Sequence, residues 1–308
     1  MQETTIAILG AGAWGKALAD LATENSHRVR LWSRSGSATL EAVLKDTQII
    51  LSAISMKGVS DVASQVQAFP LSPETIFVTA TKGLDAKTTC TPSQIWQTAF
   101  PHHPVVVLSG PNLSKEIQKS LPAASVVASH NTAAAELVQL VFSSPRFRVY
   151  TNLDPIGVEL GGTLKNIMAI AAGVCDGLHL GTNAKAALVT RGLAEIIRIG
   201  NAWGAKPETF YGLSGLGDLL ATCNSPLSRN YQVGYQMASG LSLTEILANL
   251  QGTAEGVNTC QVLMQRAKQQ NITIPITEQV YRLLQGEVTP RQALEELMLR
   301  DIKPEYDY

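Results

Sequence analysis

The sequence predicts an α/β domain with a mostly parallel, doubly wound sheet, followed by an all-α domain. Short β-branched runs alternate with amphipathic stretches through the first half of the 308-residue chain, which is the pattern of βαβ units. After Tyr150 the strand signals fade, and long segments with helical apolar periodicity replace them. A chain of this length is about twice the modal domain size, so we expect two domains, at 1–152 and 153–308.

The first-half elements alternate in type. Runs rich in β-branched and other apolar residues predict seven strands: Ile6–Leu9, Val29–Trp32, Ile49–Ile54, Ile76–Ala80, Val105–Leu108, Ala124–Ala128 and Arg148–Tyr150. Amphipathic segments between several of them predict four helices: Trp14–Thr23, Val59–Gln67, Pro92–Thr98 and Thr132–Phe142. Strands and helices that alternate at this spacing form a parallel sheet with helices on both faces.

The second half predicts helices only. They are Val158–Cys175, Ala184–Trp203, Gly215–Thr222, Tyr231–Ser239, Thr244–Asn249, Val257–Gln270, Thr277–Leu284 and Pro290–Leu299. Pro207, Pro226, Pro275 and Pro290 punctuate these segments, as prolines at helix stops and first helical turns do. The junction near Asp154-Pro155 is tight, so we expect the two halves to pack on one another.

Composition excludes several classes of protein. The 24 Lys and Arg nearly balance the 25 Asp and Glu, for a net charge of −1, which argues against a basic surface for nucleic acid or anionic membrane. The four cysteines lack CxxC spacing, so we expect reduced thiols and neither a disulfide framework nor a metal site. We find no secretory signal, and the apolar run around Ile167–Cys175 is about half of what spans a bilayer. We therefore expect a cytoplasmic protein without stable membrane insertion.

A glycine-rich turn follows the first predicted strand and opens the first predicted helix. Gly10-Ala-Gly12-Ala-Trp-Gly15 matches the GxGxxG fingerprint in the context that supports it. Gly10 allows a tight turn, Gly12 lets the backbone approach a pyrophosphate, and Gly15 lets helix and strand pack. The helix N-terminus would hold the phosphates. The first half is therefore predicted to be a Rossmann-like dinucleotide-binding domain, and the alternative is a glycine-rich turn without a ligand.

The end of the second strand predicts which dinucleotide binds. NAD-specific sites place an Asp or Glu there, whereas this chain has Trp32-Ser-Arg34-Ser. No carboxylate repels a 2′-phosphate, and Arg34 is able to bind one. The cofactor is thus NADP or NAD, with NADPH tolerated and expected to be preferred. The alternative for Arg34 is a solvated surface arginine.

Lys165 is a lysine in unusually apolar company. Its neighbours three and four positions away are Gly161, Gly162, Met168 and Ala169, so no local ion pair accounts for it. Such surroundings lower the pKa of a lysine, which suits acid–base catalysis near neutral pH. The alternative is a lysine that extends to the surface.

Further polar residues stand where ligands bind. Lys82 and the Ser109–Asn112 segment each follow a strand, and ligands bind beyond the carboxyl ends of parallel strands. Asp218 and Thr222 are four residues apart, hence on one helical face, although Asp218 is equally an N-cap or first-turn acid. Ser228-Arg-Asn230 precedes a helix, where it forms either an anion site or a capping Ser beside a surface Arg.

Together these motifs resemble the NAD(P)-dependent glycerol-3-phosphate dehydrogenase family. The matches span nearly the whole chain in the family's order: Gly10–Gly15, Thr81–Leu84, Ser109–Pro111 with Lys115-Glu116, Gly157–Asn166, Thr190–Glu195, Gly215–Leu219, Ser228–Asn230 and Glu255–Val257. The resemblance implies that the chain interconverts dihydroxyacetone phosphate and sn-glycerol 3-phosphate with NAD(P)H, and so supplies glycerophospholipid synthesis. One segment departs from the family. Only 14 residues separate Arg34 from Ile49, whereas relatives usually carry a longer segment here.

The resemblance also implies roles. Lys165 corresponds to the family's general acid/base, and Lys82 and Asp218 complete the predicted catalytic set. The implied substrate site comprises Lys82, Gly110, Asn112, Lys165, Asn166, Asp218, Thr222, Ser228, Arg229 and Asn230. The expected cofactor site comprises Gly10, Gly12, Ala13, Trp14, Gly15, Arg34, Lys82, Ser114, Arg229 and Glu255.

Two other functions compete with this interpretation. A related reductase would act on a 3-hydroxy acid or ketopantoate, but Lys82 and Ser228–Asn230 together favour a phosphorylated ketone. A non-catalytic NAD(P)-sensing protein would keep the glycine loop but has no need of Lys82 and Lys165. The sequence leaves a homodimer open.

Overall fold

A computed structural model describes residues 3–302, 304 and 305. All seven predicted strands are present in one sheet. They are β1 Thr5–Leu9, β2 Arg28–Trp32, β3 Ile49–Ser52, β4 Ile76–Thr79, β5 Val105–Ser109, β6 Ala123–Ala128 and β7 Phe147–Asn152. The sheet order is β2-β1-β3-β4-β5-β6-β7, so β2 lies on one side of β1 and the later strands follow on the other side, which is the doubly wound order that the sequence predicts.

Strand direction brings the predicted ligand-binding segments to one edge. Strands β1 to β5 pair in parallel, β5 and β6 pair antiparallel, and β6 and β7 pair in parallel. The carboxyl ends of the first five strands therefore meet at the same edge. Gly10 follows β1, Arg34 lies two residues beyond β2, Lys82 lies three residues beyond β4, and Gly110 follows β5.

Helices cover both faces of this sheet. They are α1 Ala13–Glu24, α2 Leu40–Leu44, α3 Val59–Val66, α4 Pro92–Ala99, α5 Ser114–Ile117 and α6 Thr132–Phe142, with a 3₁₀ turn at Met56–Gly58. The four predicted helices are confirmed. The short α2, α5 and the 3₁₀ turn were not predicted, because a segment of three to five residues is too short to show helical periodicity. Thr39 caps α2 by accepting a hydrogen bond from the Ala42 N–H.

The second half is helical, as predicted. Its helices are α7 Pro155–Gly177, α8 Gly181–Ala202, α9 Asp218–Cys223, α10 Arg229–Ala238, α11 Leu243–Asn249, α12 Glu255–Gln270, α13 Pro275–Leu284 and α14 Pro290–Met298. A 3₁₀ turn spans Pro207–Tyr211, and a π-turn spans Leu213–Gly217. The helix predicted from Gly215 was therefore wrong at its start. A Cβ on Gly215 would lie 2.1 Å from the Phe210 carbonyl oxygen, so this glycine sits in a tight turn before α9 begins.

Helix α7 is the core of the second half and contacts the first. It packs against α8, α9, α10, α12 and α13 as well as β5 and β6. Its Val158 joins the apolar cluster of Val107, Val126 and Ala128 from the sheet, so the halves pack together as expected. At 23 residues α7 is long and apolar enough to cross a membrane, but 89% of its most apolar window is buried inside the protein. The predicted apolar run was thus only part of a longer core helix.

Candidate active site

One buried carboxylate holds two lysine ammonium groups. Lys165 Nζ lies 2.6 Å from Asp218 Oδ1, and Lys82 Nζ lies 2.5 Å from Asp218 Oδ2. The Asp218 side chain is 2% exposed, that of Lys165 is 8% exposed and that of Lys82 is 20% exposed. Lys165 also donates to Thr222 Oγ1 at 2.5 Å, and that hydroxyl lies 3.2 Å from Asp218 Oδ1. Asp218 therefore lies between the two cations. It is also the first-turn acid of α9, as one of the alternatives had it, but it is not the N-cap, which is Gly217.

Three elements bring these groups together. Lys165 projects from α7, Lys82 from the loop after β4, and Asp218 and Thr222 from successive turns of α9. The Lys82 side chain runs past Gly162 of α7, where a Cβ would lie 3.2 Å from Lys82 Cε. The same Cβ would lie 2.3 Å from Ser109 Oγ, so the glycine lets both side chains pack closely against α7. The Lys82 ammonium also donates to the Gly110 carbonyl oxygen at 3.3 Å.

The electrostatics of the cluster favour proton transfer by Lys165. Burial lowers the pKa of Lys165 from its usual value to about 8, the nearby Asp218 carboxylate opposes that shift, and the positive charge of Lys82 adds to it. The lowered pKa predicted for Lys165 is thus confirmed. An ammonium with this pKa is protonated at neutral pH yet releases its proton readily. The cluster can donate a proton from Lys165 Nζ while Lys82 keeps a second positive charge beside it.

Polar groups next to the lysines have unused hydrogen-bonding capacity. Asn112 Nδ2 donates to Ser125 Oγ at 3.1 Å. Its Oδ1 and the Ser109 hydroxyl are buried without a hydrogen-bond partner in the part of the chain that the structure describes. Gly110 between them has φ +152°, a conformation that favours glycine. Asn166 is buried one residue beyond Lys165.

The Ser228–Asn230 segment opens α10 beside α7. The Ser228 hydroxyl accepts the Tyr231 N–H as an N-cap, and Arg229 is exposed. Asn230 Oδ1 accepts the Gly256 N–H at 2.9 Å. Gly256 itself lies against the Asn166 backbone, where a Cβ would be 2.7 Å from the carbonyl oxygen. This contact links the start of α10 to the helix that carries Lys165.

Arg229 extends over a glycine turn. A Cβ on Gly252 would lie 2.3 Å from Arg229 Nη1, so the glycine leaves room for the guanidinium. Glu255 is partly buried nearby, and its carboxylate accepts the Met56 N–H at 3.4 Å. Burial raises the pKa of Glu255, and the charge of Arg229 acts against that shift.

The glycine loop has the geometry of an open cradle. Gly10 has φ +121°, and a Cβ there would lie 2.5 Å from the Ala53 carbonyl oxygen. A Cβ on Gly15 would lie 1.8 Å from the Gly10 carbonyl oxygen, whereas one on Gly12 would meet nothing within 4 Å. The N-cap of α1 is Gly12, which has no side chain to cap the N–H groups of the first turn. The free N–H groups and the open space at Gly12 fit the pyrophosphate of a dinucleotide.

The remaining predicted cofactor residues line the same edge. Ala13 is exposed and Trp14 half-buried at the start of α1, and Ser114 is half-buried at the start of α5. Arg34 is exposed, and its Nη2 lies 3.6 Å from where a Cβ on Gly58 would stand. The guanidinium thus lies beside the turn that precedes α3. Across residues 3–302, 304 and 305, no group of three or more His, Cys, Asp or Glu could hold a metal ion.

Sequence reasoning missed two polar residues on α7. Glu159 is 2% exposed and accepts hydrogen bonds from Ser93 of α4. Thr163, one helical turn later, accepts the Gly83 N–H at 3.1 Å. The signal that singled out Lys165 was available for Glu159 too, because it is a charged residue within an apolar helix. Its partner could not be inferred, because Ser93 lies 66 residues away along the chain.

Known proteins match this chain along its whole length. The family model for the NAD-dependent glycerol-3-phosphate dehydrogenase N-terminus matches residues 5–39 and 35–135, and the model for its C-terminus matches residues 154–295. The Trichormus variabilis protein named glycerol-3-phosphate dehydrogenase [NAD(P)+] is 78% identical over 100% of both chains. The protein of that name from Acaryochloris marina is 62% identical over 99% of this chain and 98% of its own. A crystal structure of glycerol-3-phosphate dehydrogenase from Coxiella burnetii is 35% identical, with a TM-score of 0.93 over 97% of this chain and 99% of its own.

Proposed function

Because the chain belongs to the NAD-dependent glycerol-3-phosphate dehydrogenase family, we propose that the cluster around Asp218 is the centre of its reaction. The chain is an NAD(P)-dependent oxidoreductase that interconverts dihydroxyacetone phosphate and glycerol 3-phosphate. The observation that carries the proposal for the site is the pair of lysines on one buried carboxylate, at the edge of the sheet where ligands of such folds bind.

Lys165 is the general acid in the direction of ketone reduction. Its Nζ donates a proton to the carbonyl oxygen as negative charge develops there, and it accepts that proton back in the reverse direction. The Lys82 ammonium stabilises the same charge electrostatically. Asp218 and Thr222 orient the Lys165 ammonium, and the Asp218 carboxylate fixes the Lys82 ammonium beside it. Asn166, Gly110 and Asn112 complete the walls around the carbonyl end.

The residues that would hold the cofactor lie along the carboxyl edge of the sheet. When bound, its nicotinamide supplies the hydride that reduces the ketone. The glycine loop from Gly10 to Gly15, including Ala13 and Trp14, binds the pyrophosphate at the α1 N-terminus. Arg34 binds the 2′-phosphate of NADP, which makes NADPH the preferred reductant. Ser114, Glu255, Lys82 and Arg229 contact the remainder of the cofactor.

The phosphate of the substrate binds at the start of α10. Arg229 offers a planar fork of donors for a dianion, and Ser228 and Asn230 flank it. The bond from Asn230 to the Gly256 N–H and the contact of Gly256 with Asn166 hold this subsite next to the catalytic helix. Binding energy from the phosphate then positions the carbonyl against Lys165.

The domain arrangement follows from these assignments. Residues 1–152 form the dinucleotide-binding domain, and residues 153–308 form the substrate and catalytic domain. The protein acts in the cytoplasm on a small phosphorylated substrate, without nucleic acid and without stable membrane insertion, and it supplies glycerol 3-phosphate for glycerophospholipid synthesis. A homodimer is compatible with this function.

A substrate comparison tests the proposal. NADPH oxidation is followed by absorbance with dihydroxyacetone phosphate, with ketopantoate and with no ketone. We expect rapid oxidation with dihydroxyacetone phosphate alone, and an enzyme with Lys165→Ala that is slower by about 10²-fold or more. Faster turnover of ketopantoate, or a folded Lys165→Ala variant with near-normal kcat, would contradict the proposed site.

A further inference from the structure

The two lysines approach Asp218 from opposite halves of the protein. Lys165 belongs to α7, whereas Lys82 belongs to the loop that joins β4 to α4. A separation of 2.5 Å between Lys82 Nζ and Asp218 Oδ2 requires that this loop keep a fixed position on the helical half. The residues that fix the loop therefore control the geometry of the catalytic cluster.

Glu159 binds the helix that follows this loop. Its Oε1 accepts the Ser93 N–H at 2.8 Å, and its Oε2 accepts the Ser93 hydroxyl at 2.5 Å. Ser93 lies in the first turn of α4, where the N–H groups have no partner within the helix. A carboxylate is stabilised at this end of a helix by those donors and by the helix dipole. Glu159 thus fastens the N-terminus of α4 to α7.

The loop between Lys82 and Ser93 is itself tied to the helical half. Thr163 accepts the Gly83 N–H at 3.1 Å, and Asn258 donates to the Leu84 carbonyl oxygen at 2.8 Å. Arg266 donates to the Thr89 carbonyl oxygen at 3.3 Å. Within the loop, the Asp85 carboxylate accepts three hydrogen bonds from Lys87 and Thr88. The segment is internally braced, and these bonds act together with Glu159 to hold the whole connection, including Lys82, on the helical half.

We infer that Glu159 is a positioning residue, which places the Lys82 ammonium on Asp218 by holding the β4–α4 connection against α7. It touches no reacting group in the proposed site and acts only through the loop. Glu159 and Thr163 lie four residues apart, hence on one face of α7. Thr163 binds the start of the β4–α4 connection at Gly83, and Glu159 binds its end at Ser93. The inference rests on the proposed function, because it assigns Glu159 to the same catalytic cluster.

Glu195 provides a matched control for this inference. It is also a buried carboxylate, at 1% exposed, and it accepts the N–H groups of Ile276 and Thr277 and the Thr277 hydroxyl at the start of α13. The chemistry of this cap is that of Glu159 on α4. Both of its elements, α8 and α13, lie within the helical half. Loss of Glu195 therefore weakens the fold without releasing the loop that carries Lys82.

The experiment compares kcat/KM for dihydroxyacetone phosphate in two backgrounds, native and Lys82→Met. In the native background, Glu159→Ala should lower kcat/KM about tenfold or more, since small misplacements of a catalytic group cost that much. Glu159→Gln should retain most of it, because an amide can accept the Ser93 N–H and donate to the Ser93 hydroxyl. With Lys82→Met, Glu159→Ala should change kcat/KM by less than about twofold, because the group it positions is gone.

Glu195→Ala should lower the melting temperature but leave kcat/KM of the folded enzyme unchanged.

Three results would overturn the inference. One is a folded Glu159→Ala enzyme with native kcat/KM, and another is an equal loss in both backgrounds, which indicates a general structural role. If Glu159→Ala does not fold, Ser93→Ala replaces it and should show a smaller loss with the same dependence on Lys82. The third is full kcat/KM in Lys82→Met alone, which would contradict the role of Lys82 in the proposed function and is recognisable without any Glu159 variant.

Discussion

At the scale of single residues, burial and charge act in opposite directions on Lys165. Burial lowers its pKa to about 8 and Asp218 resists that change. The direction could be predicted from the sequence, because the neighbours of Lys165 on its own helix are apolar or glycine. The partner could not, since Asp218 lies 53 residues away and only the packing of α9 on α7 brings it near.

The pH dependence of the reaction should report this pKa. We expect kcat/KM for ketone reduction to fall as pH rises through about 8, because reduction requires protonated Lys165, and kcat/KM for glycerol 3-phosphate oxidation to rise over the same interval. The measurement is a profile from pH 6.5 to 10, a range chosen to span about 8 on both sides. Lys165→Arg, which stays protonated, should remove the inflection. Profiles that are flat across pH 8 in both directions would argue against Lys165 as the acid.

Arg34 should decide between the two reductants. Arg34→Ala is expected to raise KM for NADPH by about tenfold, the loss of one charge-assisted contact, with little change in KM for NADH. Steady-state kinetics with each cofactor check this, with Lys268→Ala as a control that removes an exposed cation from α12. Equal effects on both cofactors would show that Arg34 does not touch the 2′-phosphate.

Loss of Arg229 should impair the reaction of a phosphorylated ketone more than that of an unphosphorylated one. A charge-assisted bond to an anion contributes roughly 1.5–3 kcal/mol, so Arg229→Ala should lower kcat/KM for dihydroxyacetone phosphate about ten- to hundredfold. Unphosphorylated dihydroxyacetone, a very poor substrate, should be affected much less. Both assays require saturating NADPH, since Arg229 is also assigned to the cofactor. The same fold-loss with both ketones would remove Arg229 from phosphate recognition.

At the scale of elements, the crossing of α7 and α10 depends on two glycines. A Cβ on Gly173 would lie 2.1 Å from the Tyr231 carbonyl oxygen, and one on Gly234 would lie 1.9 Å from the Ile170 carbonyl oxygen. The backbones of the two helices are therefore in direct contact. The sequence predicted both helices but not this crossing, because helical periodicity identifies a buried face and not which helix covers it.

Gly234→Ala should test the closeness of that crossing. In an exposed helix this change stabilises by roughly 1 kcal/mol, but here the methyl group meets backbone that cannot move aside. We expect a destabilisation of about 1–3 kcal/mol, as in overpacked cores, measured by chemical denaturation. A variant as stable as the native protein would mean that the helices separate at little cost.

The short helices that escaped prediction share a physical cause. Leu40–Leu44 and Ser114–Ile117 are each one turn or little more, and such segments are set by caps and tertiary contacts more than by periodicity. The π-turn before α9 was missed for another reason. Gly215 and Gly217 fit a helix or a turn equally well by sequence, and the contact of Gly215 with Phe210 decides between them.

At the scale of the whole molecule, the junction between the halves contains a titrating group. Burial raises the pKa of Glu159 to about 7, although the bonds from Ser93 and Thr91 favour its charged form. A carboxyl whose pKa is higher in the folded state than in the unfolded one binds protons more tightly when folded. Its contribution to stability is therefore complete below about pH 4.5 and is lost as pH rises to about 7.

The stability of the native protein should therefore fall as pH rises through this range. Between pH 5 and 8 the free energy of unfolding of the native protein should fall, relative to that of Glu159→Gln, by up to about 3 kcal/mol. Urea denaturation of both proteins across this range gives the difference directly, so that titration of the other groups cancels. Parallel curves for the two proteins would mean that Glu159 keeps an ordinary pKa at the junction.

In the proposed mechanism, the net charge of the Asp218 cluster changes during turnover. Two ammonium groups and one carboxylate sum to +1, an excess that attracts an anionic substrate from solution. Once Lys165 has given up its proton, the same three side chains sum to zero. The proposed centre is thus cationic when it captures dihydroxyacetone phosphate and electrically neutral when glycerol 3-phosphate departs, so each turnover weakens its own hold on the product until solvent restores the proton.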